Sequence, residues 1–180
     1  MTPDSKNTPP ASLQYFHKSL PGSLLIRRTP GRPTIPFSRP SGELAGGIVI
    51  QDSGADIVLG DLSATLERDA RFRYRMLTGG KELVSAAPSG RGLERLSIHH
   101  ADQTYEARIS PLRNTAVAHA DDGTETARVS GGLLGLKYQL DFDTEDPRGS
   151  LIAVLILYHL LVVRSRAYRA IPIRLPPGGL

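Results

Sequence analysis

The sequence predicts a mostly β protein of the α+β type, in which a closed antiparallel β-barrel of about twelve strands encloses a C-terminal hydrophobic helix. Two observations carry this prediction. From residue 46 to residue 142, short alternating apolar and polar segments are separated by turn residues, with no strand–helix–strand alternation. The stretch from Leu151 to Val163 then contains no charged residue. A helix that is apolar on every face must be surrounded by protein or by lipid.

The length of this apolar stretch favours protein surroundings. As a helix, Leu151–Val163 would be about 20 Å long, whereas the hydrocarbon core of a bilayer is roughly 30 Å thick. A barrel of about twelve strands has an interior too wide for its own side chains to fill, so we expect the helix to fill it. Integral membrane anchoring through the same stretch is the alternative. Asp146 as a cap and Pro147 in the first turn predict a helix at about 147–166.

Composition divides the chain into one domain with two tails. Residues 1–12 are polar and rich in proline, which predicts a disordered N-terminus. We expect a single domain over 13–166 and a basic, proline-rich tail over 167–180. Leu13–Leu20 is compatible with a strand or a turn.

The strands are predicted in order from alternation and turn residues. Leu24–Arg27 is the first clear strand, and four prolines predict an extended, unpaired connection over 28–42. Gly79-Gly80 and Asp122-Gly123 are hairpin signals. The last strand, 134–142, has the clearest pattern, with Leu134, Leu136, Tyr138, Leu140 and Phe142 on one face. The other predicted strands are 46–50, 56–59, 64–68, 71–77, 82–86, 95–99, 104–109, 115–119 and 125–129.

The segment 71–77 carries the candidate binding site. Alternation places Arg71, Arg73 and Arg75 on one face of the strand, with Arg68 or Lys81 within reach. Guanidinium groups match phosphate oxygens bidentately, which indicates a site for an anionic ligand. The alternative is a solvated face whose arginines pair across strands with acids. The acids available for that pairing are Glu67, Glu82 and Glu94.

The formal net charge of +4 is unevenly distributed. Residues 1–42 sum to +5 and residues 164–180 to +4, which leaves −5 for the middle of the chain. The basic chain ends favour contact with an anionic partner such as a membrane surface. The alternative is that they only increase solubility. Nucleic acid is disfavoured as a partner, because the body is acidic and aromatic residues that could stack on bases are few. The N-terminus lacks the apolar core of a secretory signal, so we expect a cytoplasmic protein, either free or associated peripherally with a membrane.

No motif in the sequence predicts catalysis. Gly-x-Ser-x-Gly and His-Glu-x-x-His are absent, and the chain has no cysteine for a thiolate site. His99 and His100 are adjacent, so in a strand they point to opposite faces and are not expected to share a metal ion. His159, inside the apolar helix, is expected to be a core residue with a hydrogen-bond partner. We expect a non-enzymatic protein with neither metal nor cofactor.

The order of the segments resembles the tubby-like superfamily, which includes the tubby C-terminal domain, the phospholipid scramblases and the plant LURP-one-related proteins. The resemblance lies within residues 104–163. It is carried by Tyr105-Glu-Ala-Arg-Ile109, the Asp122-Gly123 hairpin, Ala127-Arg-Val129, Gly135-Leu-Lys-Tyr138 and the apolar helix. This resemblance implies a twelve-stranded barrel threaded by a C-terminal helix. It also implies that phosphoinositide headgroups could bind basic side chains on the barrel exterior.

The sequence also departs from this family. The tail after Val163 is longer and more basic than such a barrel requires, and the cysteine-rich and calcium-binding segments of scramblases are missing. Lipid scrambling is therefore not expected. The leading hypothesis is a barrel that binds an anionic phospholipid headgroup or a membrane surface. The alternative is a protein-interaction or structural module without a lipid ligand.

Overall fold

The computed structural model describes residues 22–60, 62–146 and 148–170, with side chains through Arg166 apart from those of residues 61 and 147. Residues 1–12, Leu13–Leu20, Pro147 and the tail beyond residue 170 lie outside these ranges, so the predictions for them stand as predictions. The described chain forms twelve strands and one helix. These are β1 (Ser23–Arg27), β2 (Thr34–Ser38), β3 (Leu44–Gln51), β4 (Gly54–Leu59), β5 (Leu62–Arg68), β6 (Tyr74–Thr78), β7 (Lys81–Pro88), β8 (Arg95–His100), β9 (Gln103–Ser110), β10 (Thr115–Ala120), β11 (Glu125–Gly131), β12 (Lys137–Phe142) and α1 (Gly149–Ala170).

The strands form a closed antiparallel barrel. Each strand pairs with the next in sequence, and β1 pairs with β12 to complete the ring, with Leu24 opposite Leu140. Closure removes the unpaired edges that an open sheet of this length would expose. The predicted closed barrel of about twelve strands is confirmed.

Helix α1 occupies the barrel interior. Every residue from Leu151 to Leu161 is buried, and the nearest strands are β9 to β12. The segment Gly149–Arg166 is long and apolar enough to cross a bilayer by length and composition, yet 83% of it is buried inside the barrel. The predicted plug is confirmed. The helix begins at Gly149 and continues to Ala170, four residues beyond the predicted end at 166.

Asp146 anchors the chain where it enters the helix. Its side-chain Oδ1 accepts from the backbone N–H of Arg148 at 2.9 Å, and its Oδ2 accepts from the Tyr105 hydroxyl, also at 2.9 Å. Burial raises the pKa of that hydroxyl to about 12, so it stays protonated and able to donate. The start of α1 is thus fixed to β9.

The prediction of an unpaired connection over 28–42 was wrong, because β2 lies within it. The carbonyl of Pro33 accepts from the N–H of Ile50 at 2.9 Å, so this pair is hydrogen-bonded. Hydrogen-bonded and non-hydrogen-bonded pairs alternate in an antiparallel ladder. Pro36, opposite Gly47, therefore falls on a non-hydrogen-bonded pair with β3, so the β2–β3 ladder does not need its missing N–H, and the pairing of β2 with β1 ends at Phe37.

The prediction of a strand over 134–142, with Leu134 and Leu136 on the same face as Tyr138, was also wrong at its start. Strand β12 begins only at Lys137, and the β11–β12 connection turns at Gly135, which has a φ of +67°. The side chain of Leu134 is 80% exposed and that of Leu136 is 37% exposed. The predicted strand begins too early, because the alternating pattern continues across a turn. That turn requires a residue that tolerates positive φ.

The barrel has two distinct ends because its strands alternate in direction. We call the end where α1 finishes the exit end: there Arg164 Nη2 donates to the Leu133 carbonyl at 2.7 Å. Every second connection lies at this end. These connections are 28–33, 52–53, 69–73, 89–94, 111–114 and 132–136. The described residues of the opposite end are 39–43, 60, 79–80, 101–102, 121–124, 143–146 and 148.

His159 is a polar residue of the helix at the barrel centre, and both ring nitrogens have partners. Nε2 lies 2.7 Å from the Leu93 carbonyl, which can only accept, so Nε2 carries the hydrogen. Nδ1 must then accept from the Tyr74 hydroxyl, 2.6 Å away. This bears out the expectation of a core histidine with a hydrogen-bond partner, and it fixes the rotation of α1 relative to β6.

Burial also sets the charge of this histidine. It lowers the pKa of His159 to about 4, well below its ordinary value, although the Leu93 carbonyl favours the protonated form. Burial likewise raises the pKa of the Tyr74 hydroxyl. Both groups are therefore neutral in the folded protein at neutral pH.

We predict that His159 makes the fold sensitive to mild acid. The unfolded chain takes up a proton on this residue near pH 6.5, whereas the folded chain does so only near pH 4. The stabilisation is fully present above the unfolded pKa and is lost as the pH falls toward the folded one. This residue is therefore expected to lower the free energy of unfolding by about 2 kcal/mol between about pH 7 and about pH 5.

The measurement is urea unfolding of the wild type and of His159→Gln at both pH values. Glutamine can donate to Leu93 and accept from Tyr74 but does not titrate, so we expect a smaller loss of stability on acidification. Because all other titrating groups are shared, the difference between the two proteins isolates His159. Equal losses in the two proteins would contradict the prediction.

Candidate functional site

The turn between β5 and β6 is organised by Asp69. Its Oδ1 accepts from the backbone N–H groups of Arg71 at 2.8 Å and Arg73 at 3.0 Å, and its Oδ2 accepts from Arg73 Nε at 2.6 Å. These bonds, with that from the Arg73 N–H making the largest contribution, lower the pKa of the Asp69 carboxyl. An ionised Asp69 thus fixes the backbone of the turn and the direction of the Arg73 side chain.

The candidate arginines occupy this turn and the start of β6. The strand predicted at 71–77 begins only at Tyr74, so Arg71 and Arg73 lie in the turn. The predicted alternation of exposure holds nonetheless: Arg71, Arg73 and Arg75 face solvent. It persists because Phe72 adopts a φ of +61°, which turns its ring inward from a position outside the strand.

Phe72 connects this turn to the end of the helix. Its ring packs edge-on against His159, with 6.3 Å between ring centroids. The guanidinium of Arg166 lies 4.3 Å from the ring centroid and that of Arg68 lies 5.6 Å from it. Arg68 also donates to the Asp52 carbonyl at 2.6 Å. Arg68 therefore has a structural role as well as a position at the site.

Three of the five candidate basic residues meet at one groove on the outer wall. Arg68, Arg73 and Arg75 line a groove of about 550 Å³ across β5 to β8, which we call the arginine groove. Its other lining residues are Glu67, Asp69, Tyr74, Ser85, Ala86, Ala87 and His99. Arg71 lies on the same turn without lining the groove. Lys81 lies at the opposite end of the barrel, at the β6–β7 turn.

A single row of side chains crosses the groove. Glu67 is opposite Arg75, Arg75 is opposite Ser85, and Ser85 is opposite His99, on four adjacent strands. Ser85 and His99 were missed in the sequence. A two-residue turn at Gly79-Gly80 would place Arg75 opposite Val84, and a bulge between Met76 and Leu77 shifts the register by one.

Two of the three groove arginines are paired with acids, but these pairs are open to water. Arg73 Nε lies 2.6 Å from Asp69 Oδ2, and Arg75 Nη2 lies 2.7 Å from Glu67 Oε2. The arginine side chains of both pairs remain more than 60% exposed. The expected pairing with Glu67 is thus present. Three arginines against two acids leave the groove with a net charge of +1 before His99 is counted.

The adjacent histidines have different surroundings. His99 is exposed and lies 3.2 Å from the Thr104 hydroxyl, whereas His100 is buried and bonded to the Leu83 carbonyl. Their predicted orientation toward opposite faces is confirmed. Among the residues with described side chains, no three His, Cys, Asp or Glu residues are grouped closely enough to hold a metal ion.

Comparisons with known proteins support the fold. The barrel resembles the X-ray structure of the Arabidopsis thaliana protein AT5G01750, with a TM-score of 0.54 and 14% sequence identity. The similarity covers 77% of this chain and 91% of the plant protein. No protein-family model and no curated protein matches the sequence. At this identity the likeness concerns the fold alone: the chain is a twelve-stranded barrel similar to that of a plant protein.

Proposed function

We propose that this protein is a non-enzymatic barrel of the tubby-like kind that binds the anionic headgroup of a phospholipid, of the phosphoinositide type, in the arginine groove. The observation that carries the proposal is the convergence of Arg68, Arg73 and Arg75 on one groove. A volume of about 550 Å³ lies within the range of about 300–1,000 Å³ typical of small-ligand sites. Such binding would make the protein a peripheral protein of the cytoplasmic membrane surface.

The chemistry of the groove suits a phosphate group. A guanidinium presents two parallel N–H groups to two phosphate oxygens, and a phosphate carries more charge than the carboxylate it would displace. Exposed ion pairs such as Arg73–Asp69 and Arg75–Glu67 contribute only about 0–1 kcal/mol each, so exchanging one partner for another costs little. Ser85 and His99 add a hydroxyl and an imidazole at the far side of the groove.

We predict that Arg73→Ala/Arg75→Ala weakens headgroup binding by about tenfold or more, since two charged hydrogen-bonding groups are lost. The measurements are calorimetry with soluble inositol trisphosphate and co-sedimentation with phosphatidylcholine vesicles that contain phosphatidylinositol bisphosphate, both at low salt. Arg68 is left in place because its contacts to Asp52 and Phe72 support the fold.

The matched control is Arg39→Ala/Arg128→Ala. These arginines are also ion-paired with acids, Glu43 and Glu125, and lie on other parts of the barrel. The net charge changes equally, so a loss confined to the groove variant identifies a site rather than a general charge effect. Equal weakening by both variants, or no binding by the wild type at low salt, would contradict the proposal. The second result would leave a protein-interaction module as the better account.

We also predict a gain of affinity. Glu67→Gln removes the carboxylate that competes for Arg75 and raises the charge of the groove, so inositol trisphosphate should bind about two- to fivefold more tightly. Glu125→Gln frees Arg128 in the same way on β11 and is expected to leave affinity unchanged. Unchanged or weaker binding by Glu67→Gln would show that Arg75 does not contact the phosphates.

A further inference from the structure

The exit end of the barrel exposes three leucines. Leu112 is 93% exposed, Leu133 is 86% exposed and Leu134 is 80% exposed, and no other described large hydrophobic side chain is as exposed. They lie on two neighbouring connections, 111–114 and 132–136. Three leucines this exposed on neighbouring connections at one end of the barrel call for an apolar environment there.

A single buried residue holds these two connections together. The side-chain Nδ2 of Asn114 donates to the Gly132 carbonyl at 2.7 Å, and its backbone carbonyl accepts from the N–H of Gly131 at 2.8 Å. Asn114 is 1% exposed and has a φ of +56°. The leucines therefore project from connections with a fixed backbone.

The two ends of the barrel carry opposite net charges. The connections and helix residues of the exit end carry eight arginines and three acids, a net charge of +5. Those arginines are Arg28, Arg32, Arg71, Arg73, Arg91, Arg113, Arg164 and Arg166, and the acids are Asp52, Asp69 and Glu94. The described residues of the opposite end carry two arginines and seven acids, a net charge of −5. Those are Arg39 and Arg148 with Glu43, Asp102, Asp121, Asp122, Asp143, Glu145 and Asp146.

We propose that the exit end docks on an anionic phospholipid membrane, with Leu112, Leu133 and Leu134 inserted at the boundary between headgroups and acyl chains. This inference rests on the proposed function and adds to it the surface that meets the bilayer. Apolar side chains surrounded by arginines match a surface that is apolar at its acyl chains and anionic at its phosphates. A second copy of the chain is a poorer match: its acidic end would attract the arginines, but Leu44 is the one strongly exposed leucine among the described residues of that end.

The arginine groove is compatible with this orientation. Arg68 and Arg73 flank the β5–β6 turn, which belongs to the exit end. A headgroup bound in the groove would therefore lie at the level of the membrane surface while the leucines reach beneath it.

The first test compares vesicle binding with binding of a soluble headgroup. Leu112→Ser/Leu133→Ser/Leu134→Ser is expected to weaken co-sedimentation with vesicles of phosphatidylcholine and phosphatidylinositol bisphosphate by at least about tenfold. Its affinity for soluble inositol trisphosphate should be unchanged. Leu44→Ser, at the opposite end, is the control and should bind both probes as the wild type does. Wild-type co-sedimentation by the triple variant would overturn the docking surface.

The second test locates the inserted residues directly. Because the chain has no cysteine, Leu133→Cys and Leu44→Cys can each carry one environment-sensitive fluorophore. With vesicles of phosphatidylcholine and phosphatidylserine, we expect a blue-shifted, brighter emission from position 133 and no change at position 44. A response at position 44 alone, at both positions equally or at neither would overturn the inference. Concentration-dependent emission changes without vesicles would instead indicate self-association.

The two proposals fail in different ways. If the groove is not a headgroup site, soluble inositol trisphosphate will not bind, and Arg73→Ala/Arg75→Ala will behave as its control. If only the docking surface is wrong, soluble headgroup binding remains arginine-dependent, whereas the leucine variant and the labels show no effect. Binding to pure phosphatidylcholine vesicles as strong as to anionic ones would contradict the charge argument in both.

Discussion

Enclosure of α1 is the constraint on which the rest of the structure depends. A helix whose residues from Leu151 to Leu161 are all buried cannot exist in water, and a ring of twelve strands without it would be hollow. The helix fills the interior of the ring, and the ring covers the apolar faces of the helix. Burying a leucine is worth about 1.5–3 kcal/mol, so burial of this helix contributes strongly to the stability of the barrel. The interior is also lined by apolar side chains, which is why His159 is neutral and has a hydrogen-bond partner for each ring nitrogen.

The same constraint makes the two ends of the barrel chemically different. Because the helix follows the last strand directly, its N-terminus lies beside one set of connections and its C-terminus beside the other. Asp143, Glu145 and Asp146 directly precede the helix, and Arg164 and Arg166 lie in its C-terminal part, so both sets interact favourably with the helix macrodipole. The charge separation is therefore partly a consequence of folding energetics. An asymmetry that stabilises the helix also leaves one end of the molecule basic and suited to an anionic surface.

Sequence patterns predicted the barrel and its plug because both depend on periodicity, which a single sequence displays. The errors arose where local chemistry overrides periodicity. Pro36 was read as excluding a strand, but the ladder has pairs that need no N–H. Leu134 continues an alternating pattern across the turn at Gly135, so the predicted strand included it. The site followed the same logic: the exposed arginines were predictable, whereas Ser85 and His99 depended on a bulge that changes the register.

The arginines of the site do not all have the same function. Arg68 is held by the Asp52 carbonyl and the Phe72 ring, and that ring in turn contacts His159 and Arg166. Arg73 and Arg75 have only exposed carboxylate partners, which a phosphate can replace. The groove thus combines one arginine that is fixed to the barrel core through Phe72 with two arginines whose carboxylate partners can be replaced. A ligand bound there would contact the β5–β6 turn, which contacts the C-terminal half of α1 through Phe72. The exposed leucines project from two other connections at the same end of the barrel.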